Sequence, residues 1–439
     1  MDNKSSGRSR PAGRSPGRRL ARLLVGVAVA STTAGVLTVV ATSPAHAAVC
    51  FGAGSTITGT PGDDVLAGGS GDDVIDGGGG NDLIIGNGGN DRLCGGDGAD
   101  VIEGYHGDDS LSGGPGADTL DGGRGGCCDP VLDTGTDTLF GDDGDDVLWA
   151  ADFGRLVGHG GTGNDRLHGL NAADQLAGGG GNDIVTGGSG ADTLDGGSGG
   201  CCDPIQDTGD DELRGGPGND TLWAADLGRL TGFGEDGDDL VFGLGGADRL
   251  EGGAGNDEIR GGDGNDTLDG GVGGDRLYAA GGNDTVNGGH DNDTILGDGG
   301  DDRIDGSYGN DWVDAGQGNN DVSGGYENDI LIAGDGVDRF DGGYGDDTVW
   351  AQGGDDYAVG GYDHDVLHGG FGNDRLIGGP HNDRLYGDEG DDNVDVFDGT
   401  AGNDVAEGGA NGDVCRIDVS PAPTNQRDTA VLCESLRTS

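Results

Sequence analysis

An aspartate recurs along this chain every nine residues, and its carboxylate is the group best placed to do chemistry. From Gly252 to Gly271 the sequence reads GGAGNDEIRGGDGNDTLDGG, with Asp257 and Asp266 each two residues before an aliphatic side chain, Ile259 and Leu268. The series opens with Asp64, Asp73, Asp82, Asp91, Asp100, Asp109 and Asp118. After a break come Asp137 and Asp146, then Asp165, Asp174, Asp183 and Asp192, then Asp211 and Asp220. It runs on through Asp239, Asp248, Asp257, Asp266, Asp275, Asp284, Asp293, Asp302 and Asp311 to Asn320. Asp329, Asp338, Asp347, Asp356, Asp365, Asp374, Asp383 and Asp392 follow, and Asp404 and Asp413 come at looser spacing. Carboxylates ranked beside the carbonyls of glycine turns are oxygen donors for a hard cation. A flexible cage of six to eight oxygens suits Ca²⁺. At Asn320 the oxygen donor is kept but the charge is lost, so an ion there should be held more weakly.

Other chemistry is poorly represented. There is no His-Glu-x-x-His motif of the metalloprotease kind. The eight histidines are scattered, and GGSGG at 196–200 is a match that chance produces in glycine-rich sequence. We therefore expect no catalytic residues, no organic cofactor and no enzyme.

Charge sets the next constraint. The chain has 439 residues, 106 of them Gly, with 82 acids against 23 bases. Without residues 1–47 it keeps 16 bases and 81 acids, a net charge of −65. Low hydrophobicity with high like charge leaves a chain disordered unless something neutralises it. Roughly 30 divalent ions shared between neighbouring repeats would do so. Nucleic acid is excluded as a partner, because its phosphates would be repelled.

These acids need elements to position them. Glycine permits tight and left-handed turns, and a filler–aliphatic–filler triplet suits a short strand with one side chain inward. Nine residues thus make a turn and a strand, and eighteen make a coil with two parallel strands. Stacked coils bury a thin row of Leu, Ile and Val and bring each Asp beside the one 18 residues on. The expected fold is an all-β parallel roll with two repeats per coil. Residues 89–162 and 163–236 match at an offset of 74, sharing GADTLDGG, GGCCDP and LWAAD. The 19-residue steps at Asp118–Asp137, Asp146–Asp165, Asp192–Asp211 and Asp220–Asp239 each predict an irregular coil.

The nonapeptide G-G-x-G-x-D-x-(aliphatic)-x, carried over about residues 55–413, resembles the RTX, or haemolysin-type, calcium-binding repeat family. The resemblance implies a right-handed parallel β-roll with Ca²⁺ between successive turns, held by the Asp positions named above and Asn320. RTX toxins and proteases usually carry an effector domain, which is not evident here. The chain is more similar to stand-alone secreted calcium-binding proteins of actinobacterial type.

Residues 1–47 read as a signal peptide. Arg14, Arg18, Arg19 and Arg22 precede the apolar run 23–40, and Ala45-His46-Ala47 makes a cleavage site. The expected organisation is then an N-terminal roll over 48–236, a regular roll over 237–413 and a cap over 414–439, secreted and extracellular. Cys415 and Cys433 are 18 residues apart, so a disulfide should staple the cap to the last coil. The pairing of Cys50, Cys94, Cys127, Cys128, Cys201 and Cys202 is left open by the sequence. Tyr308, Tyr326, Tyr344 and Tyr362 recur every 18 residues and should line one flank. They are either a strip for a cell-surface glycan or protein partner, or a self-packing stack.

Overall fold

A computed structural model describes residues 50–123, 134–150, 153–197, 208–224, 228–396, 403–417 and 428–438. The expected signal peptide and Cys127, Cys128, Cys201 and Cys202 lie outside the described residues. What is described is a parallel β-solenoid of about 19 turns with no helix. Each strand pairs with the strands two before and two after it. Ile57–Thr58, Val74–Gly79 and Arg92–Asp97 open one 20-stranded sheet, and Val65–Ala67, Leu83–Gly88 and Val101–His106 open a second of 20 strands.

The nonapeptide explains the coil residue by residue. Ile259 points inward and is fully buried, while Glu258 and Arg260 face out. Gly253 and Gly255 have φ of +114° and +147°, left-handed backbone that side chains resist. A Cβ on Gly255 would also run into the carbonyl of Gly237 in the preceding coil. The inward residues form one continuous core, from Ile75 to Ile417. Ala358, a small inward residue, pairs in register with Phe340, the largest fully buried side chain among the described residues. Large beside small keeps the local volume filled.

The four 19-residue steps turn out to be of two kinds. Across 118–137 and 192–211, strands pair at an offset of 28, as in Ser110 with Thr138 and Ile184 with Glu212. That is ten residues more than a regular coil, and residues 124–133 and 198–207 there lie outside the described residues. Across 146–165 and 220–239 the offset is 19, as in Val147 with Arg166 and Thr221 with Leu240. These are whole coils with one extra residue, not separate irregular ones. The ladder crosses 236–237 without interruption through Asp236 paired with Ala254. The two copies of LWAAD fall on different sheets: Trp149 on the second, Trp223 on the first.

Both ends of the roll are clamped by disulfides. Cys415 and Cys433 are bridged with Cα atoms 5.9 Å apart. The simple 18-residue argument is not the reason, because Cys415 pairs with Leu436 at an offset of 21. Cys50 and Cys94 are also bridged, at a Cα separation of 5.8 Å. Residues 50–53 lie along the outside of the first sheet, with the Phe51 ring 6.1 Å from that of Phe140.

Candidate metal centre

The coil geometry sorts the aspartates into two columns, one along each flank. Asp73, Asp91, Asp109 and Asp137 begin the column before the first-sheet strands. It resumes at Asp174, Asp192, Asp220 and Asp239, and runs through Asp257, Asp275, Asp293, Asp311, Asp329, Asp347 and Asp365 to Asp383 and Asp404. The other column holds Asp64, Asp82, Asp100, Asp118, Asp146, Asp165, Asp183 and Asp211. It then runs from Asp248, Asp266, Asp284 and Asp302 through Asn320 to Asp338, Asp356, Asp374, Asp392 and Asp413.

Within a column the acid's main-chain N–H donates to Oδ1 of the acid one coil on, wherever an acid stands there. Asp257 N–H reaches Asp275 Oδ1 at 2.8 Å, and Asp293 N–H reaches Asp311 Oδ1 at 2.9 Å. One carboxylate oxygen is therefore spent on the ladder. The looser spacing after Asp392 does not end it: Asp383 N–H donates to Asp404, Asp392 N–H to Asp413, and Asp413 N–H to Glu434 Oε2. Glu434 thus closes the column, a role invisible in a search for Asp.

The second oxygen is the informative one. In Asp82, Asp118, Asp257, Asp293, Asp347 and Asp392, Oδ2 is buried with no hydrogen-bond donor. It is gathered with other oxygens. A Cβ placed on Gly288 would lie 2.5 Å from Asp293 Oδ2 and 2.8 Å from the carbonyl oxygen of Gly306 in the next coil. Acceptor oxygens converging on a point that only a glycine leaves open fit a cation. The set is all-oxygen, as Ca²⁺ prefers.

Burial accordingly pushes these carboxyls up from 3.8, against the pull of the backbone N–H and helped by neighbouring carboxylates. Asp118 rises to about 7, and Asp293 and Asp347 to about 8.

Some predicted positions differ. Asp64 Oδ2 accepts from Thr60 N–H at 2.6 Å, Asp73 Oδ2 from Gly69 N–H at 2.6 Å, and Asp174 Oδ2 from Leu170 N–H at 3.2 Å. At Asn320, Oδ1 accepts the Asp302 N–H at 3.0 Å. That fixes the amide, because a nitrogen cannot accept it. Nδ2 then faces the carbonyls of Gly316 and Gly318 at 3.5 and 3.4 Å. Asp321 points outward instead, 3.0 Å from Arg303 and 3.6 Å from Arg339.

A second ladder, missed in the sequence, runs beside the first in the opposite direction. Asn256 N–H donates back to Asp238 Oδ1, and its own Oδ1 accepts Gly274 N–H at 3.1 Å. Asp63, Asn81 and Ala99 are linked in the same way. The frequent Asn or Asp before each column acid was the available signal.

The tyrosines are in register, as the spacing predicts. Their centroids are 4.8, 5.1 and 4.8 Å apart with planes within 4° of parallel, and His290 extends the stack at 4.8 Å.

A search of curated proteins finds no match to the chain. The family model for the RTX calcium-binding nonapeptide repeat (4 copies) matches residues 58–93, 95–126, 133–152, 168–200 and 206–226, then overlapping or abutting stretches from 233 to 416. With most of its length matched, and with the glycines, acids and inward aliphatics of each repeat placed as described, the chain belongs to the RTX calcium-binding nonapeptide repeat family.

Proposed function

We propose that this calcium-binding repeat protein is secreted and folds by taking up many Ca²⁺ ions along the two acid columns. One observation carries the reading: the buried Oδ2 atoms that converge with glycine carbonyls and meet no donor. The ligands are the column aspartates, including Asp404 and Asp413, with turn carbonyls completing each cage. Calcium supplies the positive charge. The chain's own part is to hold one oxygen by the ladder and aim the other. We assign no catalysis to it.

Gly288→Ala tests the cage. The new Cβ would occupy the convergence point, so the variant should lose on the order of one bound ion and about 1–3 kcal/mol of stability in saturating calcium. Gly299→Ala is the control, since nothing lies within 4 Å of its added Cβ. If calorimetric calcium titrations of the two variants coincide, the cage is misplaced.

Asn320 is a second test. Its only oxygen is engaged by Asp302, and its nitrogen faces the carbonyls that would otherwise take an ion. Asn320→Asp should add about one ion and lower the calcium midpoint for folding, read by tryptophan fluorescence from Trp312. Asp293→Asn should raise that midpoint. A higher midpoint in Asn320→Asp would reject these positions as ligands.

For the tyrosine column we favour self-packing. Parallel rings about one coil apart cover each other's faces, leaving edges outward, while a sugar ring packs on a face. Such stacking contributes about 0.5–1.5 kcal/mol per pair beyond burial.

A further inference from the structure

Two coils interrupt the acid columns in the same way. Between Asp137 and Asp174 the column position is held by Leu156, in register with Asp137. Between Asp211 and Asp248 it is held by Leu230, in register with Asp211. The ladder continues on the far side: Leu156 N–H donates to Asp174 Oδ1 at 2.6 Å, and Leu230 N–H to Asp248 Oδ1 at 2.7 Å, while on the near side Asp211 N–H turns to the Arg229 carbonyl at 2.9 Å. Both leucines are fully buried.

Two residues further on, regular coils carry their inward aliphatic side chain. Here stand Gly158 and Gly232, in register with Leu176 and Leu250. A Cβ on Gly158 would lie 3.5 Å from Leu156 Cδ2, and one on Gly232 would lie 3.2 Å from Leu230 Cδ2. The leucines therefore fill the core space that the glycines vacate. Ligand and core residue have exchanged roles, and a leucine offers no oxygen.

We infer that the first column at Leu156 and the second at Leu230 are built to close without calcium at that position, the leucine taking the place of the aliphatic core residue. The inference rests on the reading that the acid columns hold Ca²⁺. It leaves one gap in each column, each facing an unbroken stretch of the other: Asp146 to Asp165 beside Leu156, and Asp220 to Asp239 beside Leu230. The interruption occurs once in each copy of the 74-residue duplication and nowhere else along the described columns.

The double substitution Leu230→Asp with Gly232→Leu restores the regular pattern. Calcium bound per chain is measured by equilibrium dialysis, with circular dichroism to verify the fold. The double variant should bind about one ion more than the parent chain, and its thermal midpoint should depend more steeply on calcium. A folded double variant that binds the same number would overturn the inference while leaving the calcium reading intact. A parent chain that binds none would overturn both.

Leu230→Ala gives a separate readout that does not depend on the double variant folding. Emptying the core space that the buried leucine fills should lower the thermal midpoint with the ion count unchanged. A lower ion count, or an unchanged midpoint, in Leu230→Ala would overturn the inference.

Discussion

Stripped of calcium at pH 8, the chain should lose its parallel β signal in far-ultraviolet circular dichroism and regain it when calcium is returned. The column acids recur one coil apart, about 4.8 Å along the axis. Two unit charges about 5 Å apart cost about 3 kcal/mol at an effective dielectric of about 20. A handful of such pairs outweighs the 5–15 kcal/mol by which folded domains are typically stable, at roughly one domain's length. The core is a thin row, one inward side chain per nine residues, and cannot offset a whole column. Half-saturation should fall in the extracellular range, about 10⁻⁴–10⁻³ M. Binding should be cooperative, because each coil touches only its neighbours. Undiminished β signal in excess chelator at pH 8 would contradict this account.

Acid should substitute for the metal. Folded-state values for Asp118, Asp293 and Asp347 are raised from 3.8 to about 7, 8 and 8, chiefly by burial. A raised carboxyl value means that the folded state binds protons more tightly than the unfolded chain does. The metal-free roll is therefore most favoured at pH values below 3.8 and loses that support as pH rises through 7 to 8. In calcium-depleted buffer the β signal should grow as pH falls from 8 to 5. With calcium present the sign reverses: ions and protons compete for the same oxygens, so the calcium midpoint should rise as pH falls below about 7. Circular dichroism across this range, in buffer depleted by a chelating resin, reads both effects. A metal-free chain no more ordered at pH 5 than at pH 8 would show that the buried acids are not what holds it open.

Most of this architecture is legible from the period. Nine residues give the turn and the strand, and the alternation of Asp64, Asp73 and Asp82 between flanks follows from two strands per coil. Asn320 keeps its place because Val322 keeps the inward position. What was not legible has physical reasons. At Leu156 and Leu230 the acid and the aliphatic exchange identities, so a search tied to Asp sees a gap where the backbone sees a coil. Glu434 closes a column with a longer side chain after a 21-residue step. Cys50 and Cys94 meet on the outside of the first sheet through a segment before the repeats, which no period describes. The direction in which the tyrosine rings face depends on side-chain torsions, which spacing alone leaves undetermined.

The placing of the two LWAAD copies on different sheets has a consequence for how such a protein grows. The strands Thr119–Asp121 and Thr193–Gly197, one copy apart, are separated by seven half-coils. Seven is odd, so each tandem duplication of this unit turns its successor to the opposite face. Trp149 stacks with His168 on one side, and its counterpart Trp223 stacks with Phe242 on the other. Parity decides the display: a unit of six or eight half-coils would repeat its surface along a single side, whereas this one alternates, and a third complete copy would return to the face of the first.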